Sequence, residues 1–116
     1  IGEGGKRYPT LVETRLERGD YEEIYPKVIE AVKKLYRKAK LIHGDLSEYN
    51  IFVLPNRDIV LIDLSQAVRI EQPIAEPLLL RDLKNLVRFF RKNGVEVPEP
   101  DELFAEITGR KPFASS

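Results

Sequence analysis

The chain has 116 residues, a single histidine, no cysteine, and 19 basic residues that balance 19 acidic ones. This length suits one domain, and a hydrophobic share of 42% can build a buried core. The missing thiols exclude disulfides, thiol catalysis and iron–sulfur clusters, so a metal site would need oxygen ligands, which suits Mg²⁺. The zero net charge gives no direct sign of nucleic-acid binding, and no apolar run is long enough to span a membrane. We therefore expect a soluble intracellular domain, and the initial Ile1 suggests a piece of a longer protein.

The first third of the chain predicts a connector followed by a helix. Glycines and a proline punctuate residues 1–19, which indicates irregular structure. Asp20 and Glu23 form a capping pair for a helix over residues 20–40, whose apolar positions recur every three or four residues. Pro26 is expected to kink the first turn or to mark the true start. Basic residues crowd the C-terminal half, where the helix dipole favours cations, so a solvated helix end is preferred over an RNA-binding patch.

The remaining pattern predicts a hairpin and two more helices. Residues 51–54 and 59–62 are short runs rich in β-branched residues, and residues 55–58 between them are turn formers. Amphipathic spacing predicts helices over residues 76–94 and 101–108. The order of helix, hairpin, helix and helix predicts a small α+β fold that is mainly helical.

The hairpin places polar residues at one strand end. With residues 55–58 as a four-residue loop, Asn50 faces Asp63, and directly opposed Cβ atoms lie about 4.5–5.5 Å apart. An amide and a carboxylate at that separation can bind one hard cation. Asp45 lies five residues earlier, on the loop that enters the same strand. Magnesium-assisted phosphoryl transfer uses such a set, because one carboxylate positions the attacking hydroxyl or water while the other ligands hold the metal.

The spacing of these residues is more specific than any one of them. The pattern His-x-Asp-x-x-x-x-Asn, followed by a hairpin and Ile-Asp, matches the catalytic loop and the metal-binding Asp of protein kinases. We expect His43 to be a partly buried imidazole that is bonded to backbone and braces the loop, and not a proton shuttle. Ser47 is not favoured as a nucleophile, because no second histidine is present to act as its base.

Two segments carry a resemblance to a known family. Residues 43–50 (HGDLSEYN) and 62–68 (IDLSQAV) resemble the RIO family of atypical protein kinases, and the Ser-Glu-Tyr and Ser-Gln forms favour its first subfamily over its second. Aminoglycoside-kinase-type phosphotransferases share His-Gly-Asp and the distant Asn but usually lack those two forms. The similarity continues to residues 103–108 and so covers nearly the whole chain. Gly44 is a departure, because many members of the first subfamily carry Ala there.

The resemblance implies the C-terminal lobe of a protein-kinase-like fold spanning residues 1–116, with the catalytic loop, hairpin and metal loop in residues 41–68. It implies Asp45 as the catalytic base, and Asn50 and Asp63 as ligands of the Mg²⁺, or Mn²⁺, that accompanies ATP. RIO enzymes are also described as ATPases that form an aspartyl-phosphate, here on Asp63, and the sequence leaves both roles of this residue open. The family acts in maturation of the small ribosomal subunit, which implies a cytoplasmic protein with a pre-ribosomal particle as its partner.

Residues 2–5 do not supply the glycine-rich phosphate loop of a kinase, and no Val-Ala-x-Lys strand follows them. We therefore expect the N-terminal lobe to be absent, and the chain alone to bind ATP poorly and to turn it over negligibly. Two alternatives stay open. One is a small-molecule phosphotransferase lobe, which would need a long helical insertion after Asp63. The other is a non-catalytic scaffold or dimerisation fragment.

Overall fold

Three α-helices, four short strands and two 3₁₀ helices, Glu48–Asn50 and Leu64–Gln66, form the secondary structure of the part of the chain that the computed structural model describes, residues 8–14 and 16–109. The helices are α1 (Arg18–Arg37), α2 (Ala75–Lys92) and α3 (Pro100–Thr108). The strands are β1 (Leu41–Ile42), β2 (Ile51–Val53), β3 (Ile59–Leu61) and β4 (Val68–Arg69). This composition confirms the predicted fold class, α+β and mainly helical. None of the described helices is both long enough and apolar enough to cross a membrane.

Helix α1 begins two residues earlier than the capping pattern predicts. The Glu17 backbone N–H donates to the Asp20 carboxylate at 3.2 Å, so Asp20 lies in the first turn and does not cap the helix. Because the helix starts at Arg18, Pro26 lies well inside it. The expectation that Pro26 belongs to the first turn or marks the start is therefore wrong.

Two pairs of aromatic side chains pack against each other between α1 and α2. Tyr21 meets Phe89 with ring centroids 5.7 Å apart, and Tyr25 meets Phe90 at 5.3 Å, both in edge-to-face geometry. Such pairs add about 0.5–1.5 kcal/mol each beyond the area that they bury. Burial, and secondarily the charge of Glu106, raises the pKa of Tyr25 to about 12, so its phenol stays neutral at physiological pH.

The C-terminal helix α3 is fastened to the end of α1. The Arg37 guanidinium donates to the Ile107 and Glu106 carbonyls at 3.0 and 2.9 Å, and the Lys33 ammonium lies 3.4 Å from the Glu106 carboxylate. A cation at the C-terminal end of α3 complements its dipole. The three helices enclose the core, whose largest fully buried side chains include Phe90, Phe104, Leu11, Ile24, Leu46, Ile51 and Leu79.

The hairpin of β2 and β3 is extended by residues near the N-terminus of the described region. Leu11 donates to the Ile51 carbonyl at 2.9 Å, and Val53 donates to the Pro9 carbonyl at 2.8 Å. Thr10 thereby pairs with Phe52 in an antiparallel bridge. Residues 9–11, which were predicted to be part of an irregular connector, therefore lie alongside β2 and hydrogen-bond to it.

A second two-stranded ribbon flanks the segment from His43 to Ala67 in the sequence. Strands β1 and β4 pair antiparallel, with Leu41 opposite Arg69 and Ile42 opposite Val68. The sequence does not predict this ribbon, because strands of two residues carry no recognisable periodicity. Its effect is to fix the chain immediately before His43 and immediately after Ala67.

Candidate active site

The register of the hairpin differs by one residue from the predicted one. Ile51 pairs with Leu61, so Asn50 lies opposite Ile62 and not opposite Asp63. The reason is a three-residue loop: Leu54 donates to the Asp58 carbonyl at 2.9 Å. Arg57 permits this shorter loop by adopting a left-handed conformation, with φ at 67°.

Asp63 lies just beyond the last backbone hydrogen bond of the hairpin. The Ile62 N–H donates to the Asn50 carbonyl at 2.9 Å, and Asp63 then takes a left-handed φ of 63°, which ends the strand. Asn50 and Asp63 therefore lie at the same end of the hairpin on neighbouring segments, with Asp63 one position beyond the residue that faces Asn50. The predicted direct opposition is wrong, whereas the proximity of the two segments holds.

His43 ties the catalytic-loop segment to the same strand end. The Asp45 N–H donates to Nδ1 at 3.2 Å, so Nε2 carries the ring proton and donates to the Ile62 carbonyl at 2.7 Å. The residue is only 2% exposed. The predicted bonding of His43 to backbone is confirmed, because both ring nitrogens bind main-chain groups; the side chain is fully buried, and not partly buried as predicted.

A carboxylate on α2 holds the backbone on both sides of Asp45. One oxygen of Asp82 accepts from the Gly44 N–H at 2.9 Å, and the other accepts from the Leu46 N–H at 3.0 Å. Asp82 is 1% exposed. Burial raises the pKa of Asp82, while the two N–H donors act in the opposite direction because they favour the charged form.

Two further side chains of α2 bind the carbonyls of the same loop. The Arg81 guanidinium donates to the Gly44 carbonyl, and the Asn85 amide donates to the Leu46 carbonyl at 3.1 Å. The backbone N–H and C=O groups of Gly44 and Leu46 are therefore all hydrogen-bonded to side chains of α2. Asp45 lies between them and is exposed, so its carboxylate sits on a fixed piece of backbone at the surface.

Gly44 brings this loop against the turn that follows Asp63. The Gly44 φ is +87°, and a Cβ at this position would lie 2.4 Å from the Gln66 carbonyl oxygen. A side chain here would be strained in φ and would also collide with the Leu64–Gln66 turn. The structure thus brings together the segments that carry Asp45, Asn50 and Asp63.

Serine hydroxyls contact both of the expected metal ligands. Ser47 Oγ lies 3.2 Å from Asn50 Oδ1, and Ser65 Oγ lies 2.8 Å from Asp63 Oδ1. In the described ranges no three His, Asp or Glu side chains form a group that could hold a metal ion. A cation here would therefore need the Asn50 amide and oxygens from a ligand, and this donor set of hard oxygens fits Mg²⁺ better than Zn²⁺.

A shallow cleft of about 400 Å³ lies beside the hairpin. It is open to solvent, since Tyr49 is 65% exposed and Val12 is 44% exposed. Of its apolar side chains, Phe52 lies in β2 two residues after Asn50, and Ile62 directly precedes Asp63. The full lining comprises Thr10, Val12, Glu13, Tyr49, Phe52 and Ile62.

The three anchoring residues of α2 were not predicted from the sequence as part of the site. Asp82 lies three residues after Leu79 and directly before Leu83, so it occupies the buried stripe of the helix. A charged residue on an apolar stripe needs a buried partner, because a bare buried carboxylate is costly. That position is the signal that could have identified Asp82. Arg81 and Asn85 carry no comparable signal.

The mainly helical α+β fold, with its loop and hairpin held together at one end, has the organisation of the C-terminal lobe of a protein-kinase-like fold. A family model described as the RIO domain matches residues 1–103. The chain therefore belongs to the RIO family.

Relatives with assigned names favour the first subfamily. The chain is 45% identical over 92 residues to the RIO-type serine/threonine-protein kinase Rio1 of Methanocaldococcus jannaschii, an alignment that covers 79% of this chain and 31% of that protein. It is 39% identical over 109 residues to the Rio1 protein of Haloferax volcanii, covering 94% and 36%. The Rio2 protein of M. jannaschii is 39% identical over 97 residues, covering 80% and 36%. The chain thus spans about a third of the length of these relatives.

Proposed function

We propose that the chain is the C-terminal lobe of a RIO-type serine/threonine kinase, in which Asp45, Asn50 and Asp63 support ATP-dependent phosphoryl transfer. The observation that supports this most is the shared anchor at Ile62. Its N–H binds the Asn50 carbonyl, and its carbonyl accepts from His43. The catalytic loop and the Asp63 segment are therefore held in one frame.

Asp45 is proposed as the group that receives the attacking hydroxyl. It is exposed, while Gly44 and Leu46 on either side are bound to α2. A carboxylate placed in this way can accept a hydrogen bond from the hydroxyl, orient it towards the phosphorus, and take its proton as the new O–P bond forms. Fixed backbone matters here because a misplacement of about 1 Å costs roughly 100-fold in rate.

Asn50 and Asp63 are proposed to hold Mg²⁺ or Mn²⁺. Magnesium is usually bound by one or two protein oxygens, with phosphate oxygens and water completing its octahedron. One amide oxygen and one carboxylate meet that requirement. When bound, such a cation neutralises charge that develops on the transferred phosphoryl group.

The cleft beside the hairpin is proposed to receive the nucleoside half of ATP. Its apolar floor at Phe52 and Ile62 suits a flat purine ring, and it adjoins the strand ends that carry the proposed metal ligands. The cleft is shallow and open, whereas ligand sites usually bury 70–90% of a ligand. We therefore expect a second, N-terminal lobe to cover it, and the chain alone to bind ATP poorly.

Two phosphoryl acceptors are consistent with the proposal. One is a serine or threonine hydroxyl of a protein substrate, and the other is the carboxylate of Asp63, which would give an aspartyl-phosphate and an ATPase cycle. The family resemblance further suggests that the protein acts on a pre-ribosomal particle of the small subunit in the cytoplasm.

The two alternatives are not favoured. Between β4 and α2 the chain has only residues 70–74, so the described region after Asp63 contains no long helical insertion for a small-molecule substrate. A pure scaffold has no need for the four hydrogen bonds that α2 makes to Gly44 and Leu46 around an exposed carboxylate.

The proposal is tested by ATP turnover in the full-length protein. We expect Asp45→Asn to lower turnover by roughly 10²–10⁴-fold, and Asp63→Asn to reduce it to background. Glu30→Gln, which neutralises an exposed carboxylate on α1, is the control and should retain wild-type turnover. Wild-type rates in both aspartate variants would exclude the proposed site. Protein-bound phosphate that hydroxylamine releases would identify Asp63 as the acceptor.

A further inference from the structure

Each of the two side chains proposed as metal ligands accepts a hydrogen bond from a nearby serine. Ser65 donates to Asp63 Oδ1 at 2.8 Å, two residues away. Ser47 donates to Asn50 Oδ1 at 3.2 Å, three residues away. The two serines belong to different loops, so the pattern arises twice independently.

The Ser47 contact fixes the orientation of the Asn50 side-chain amide, and so determines which of its atoms can face a cation. Only the amide oxygen can bind a cation, and an amide can rotate to exchange its oxygen and nitrogen. Ser47 Oγ already accepts from the Tyr49 N–H at 3.3 Å, so its own proton is available for Asn50 Oδ1. An oxygen has two lone pairs, so this bond leaves one for a metal.

The Ser65 contact has the same consequence for Asp63. The left-handed φ of Asp63 starts a tight turn, and the Ser65 hydroxyl lies on that turn. By occupying Oδ1 it restricts rotation of the carboxylate and leaves Oδ2 for a cation or a phosphoryl group. Both contacts are at or near the surface, where they add little to the stability of the fold.

We propose that Ser47 and Ser65 are positioning residues that orient Asn50 and Asp63 for a divalent cation, an inference that rests on the proposed function. Hydrogen-bond partners of metal ligands typically account for 10–100-fold in metal affinity. The two serines are not assigned any contact with substrate, and their effect is exerted through the ligands.

The test is Mn²⁺ affinity, measured by electron paramagnetic resonance on the full-length protein with a non-hydrolysable ATP analogue. Ser65→Ala deletes one hydroxyl, and Ser47→Gly deletes the other while keeping a residue that is tolerated at a helix N-cap. We expect each variant to bind Mn²⁺ about 10-fold more weakly, with an unchanged thermal midpoint in EDTA. Ser65→Thr and Ser47→Thr retain the hydroxyl and should restore affinity. Thr108→Ala, which removes a hydroxyl bond to Phe104 on α3, should have no effect.

The outcomes separate this inference from the proposed function. If Asp63→Asn loses Mn²⁺ while Ser65→Ala and Ser47→Gly bind it like the wild type, the serines do not position the ligands and the proposed site stands. If the serine variants lose affinity only together with thermal stability, and Thr does not restore it, the role is structural and the inference is wrong. If Asp63→Asn binds Mn²⁺ like the wild type, the proposed metal site itself is wrong.

Discussion

At the scale of single residues, Asp82 positions Asp45 by binding the backbone on both sides of it. Its two oxygens each accept one backbone N–H, from Gly44 and from Leu46. The residue touches neither of the proposed ligands of the metal, yet the position of the catalytic loop depends on it. A polar side chain buried among leucines thus acts on the site through the backbone.

Asp82→Asn is expected to destabilise the chain by about 1–3 kcal/mol, because the amide has one acceptor oxygen and leaves the other buried N–H unsatisfied. The free energy of unfolding in urea measures this. Asp45→Asn makes the same chemical change at an exposed position and should alter that free energy by less than about 0.5 kcal/mol. Equal stability of the two variants would show that Asp82 does not anchor the loop.

The same residue gives a pH dependence. Burial raises the pKa of Asp82, so the folded chain keeps this proton to higher pH than the unfolded chain does. The stability contributed by the group is then fully present below the ordinary carboxyl pKa of about 3.9 and is lost as the pH rises through the folded pKa. Asp82→Asn cannot titrate. The stability advantage of the wild type over this variant should therefore narrow as the pH rises above the ordinary carboxyl pKa of about 3.9; a widening advantage contradicts the shift.

Gly44 offers a second test at this scale. Gly44→Ala meets both a positive φ and the Gln66 carbonyl at 2.4 Å, whereas Gly109→Ala meets a φ of +84° with nothing within 4 Å. The φ strain costs roughly 1–2 kcal/mol in both variants. We expect Gly44→Ala to lose clearly more unfolding free energy than Gly109→Ala, because the Gln66 turn must also move. Equal losses would mean that the loop and the turn do not touch.

At the scale of elements, the hairpin turn is held to α1 by Arg57. Its guanidinium binds the Asp20 carboxylate at 2.7 Å, and its carbonyl accepts from the Lys27 ammonium at 2.9 Å. The hydrogen bond from Arg57 lowers the pKa of Asp20. The Asp20 contribution to stability is therefore present above the ordinary carboxyl pKa and is lost as the pH falls through the lowered one.

Substitutions at Arg57 separate the ion pair from the backbone conformation. Arg57→Gly and Arg57→Ala both remove the bond to Asp20, but only alanine keeps the strain of φ at 67°. We expect Arg57→Ala to be less stable than Arg57→Gly by about 1 kcal/mol in thermal or urea unfolding. The reverse order would indicate that the three-residue loop is not retained.

The hairpin also shows how far sequence reasoning reaches. β-branched runs and turn formers predict its two strands, because these features follow from local chemistry. The register could not be predicted, since Arg57 adopts the left-handed conformation that a glycine usually marks. The β1–β4 ribbon could not be predicted either, because its two-residue strands depend on tertiary contacts.

The candidate site, like the hairpin, could be predicted from the sequence only in part. The residues Asp45, Asn50 and Asp63 are found from spacing and family resemblance, and the role of His43 follows from its being a single histidine in a loop. The anchoring by Asp82, Arg81 and Asn85 depends on where α2 packs, about 36–39 residues later in the chain. Contacts between residues so far apart in the chain leave no local sequence pattern from which they could be predicted.

At the scale of the whole molecule, the chain is expected to be an incomplete catalytic unit. The cleft beside the hairpin is open, and the chain spans about a third of its named relatives. Isothermal titration of Mg-ATP should therefore show weak binding to the 116-residue chain and tight binding to the full-length protein. Micromolar affinity of the chain alone would contradict the need for a second lobe.

The proposed function requires Asn50 and Asp63 to share a divalent cation despite the one-residue offset in register. The most direct measurement is the anomalous diffraction of Mn²⁺ in crystals of the full-length protein with a non-hydrolysable ATP analogue. We expect a peak about 2.0–2.3 Å from both Asn50 Oδ1 and an Asp63 carboxylate oxygen. A peak that lies on only one of these side chains, or on neither, contradicts it.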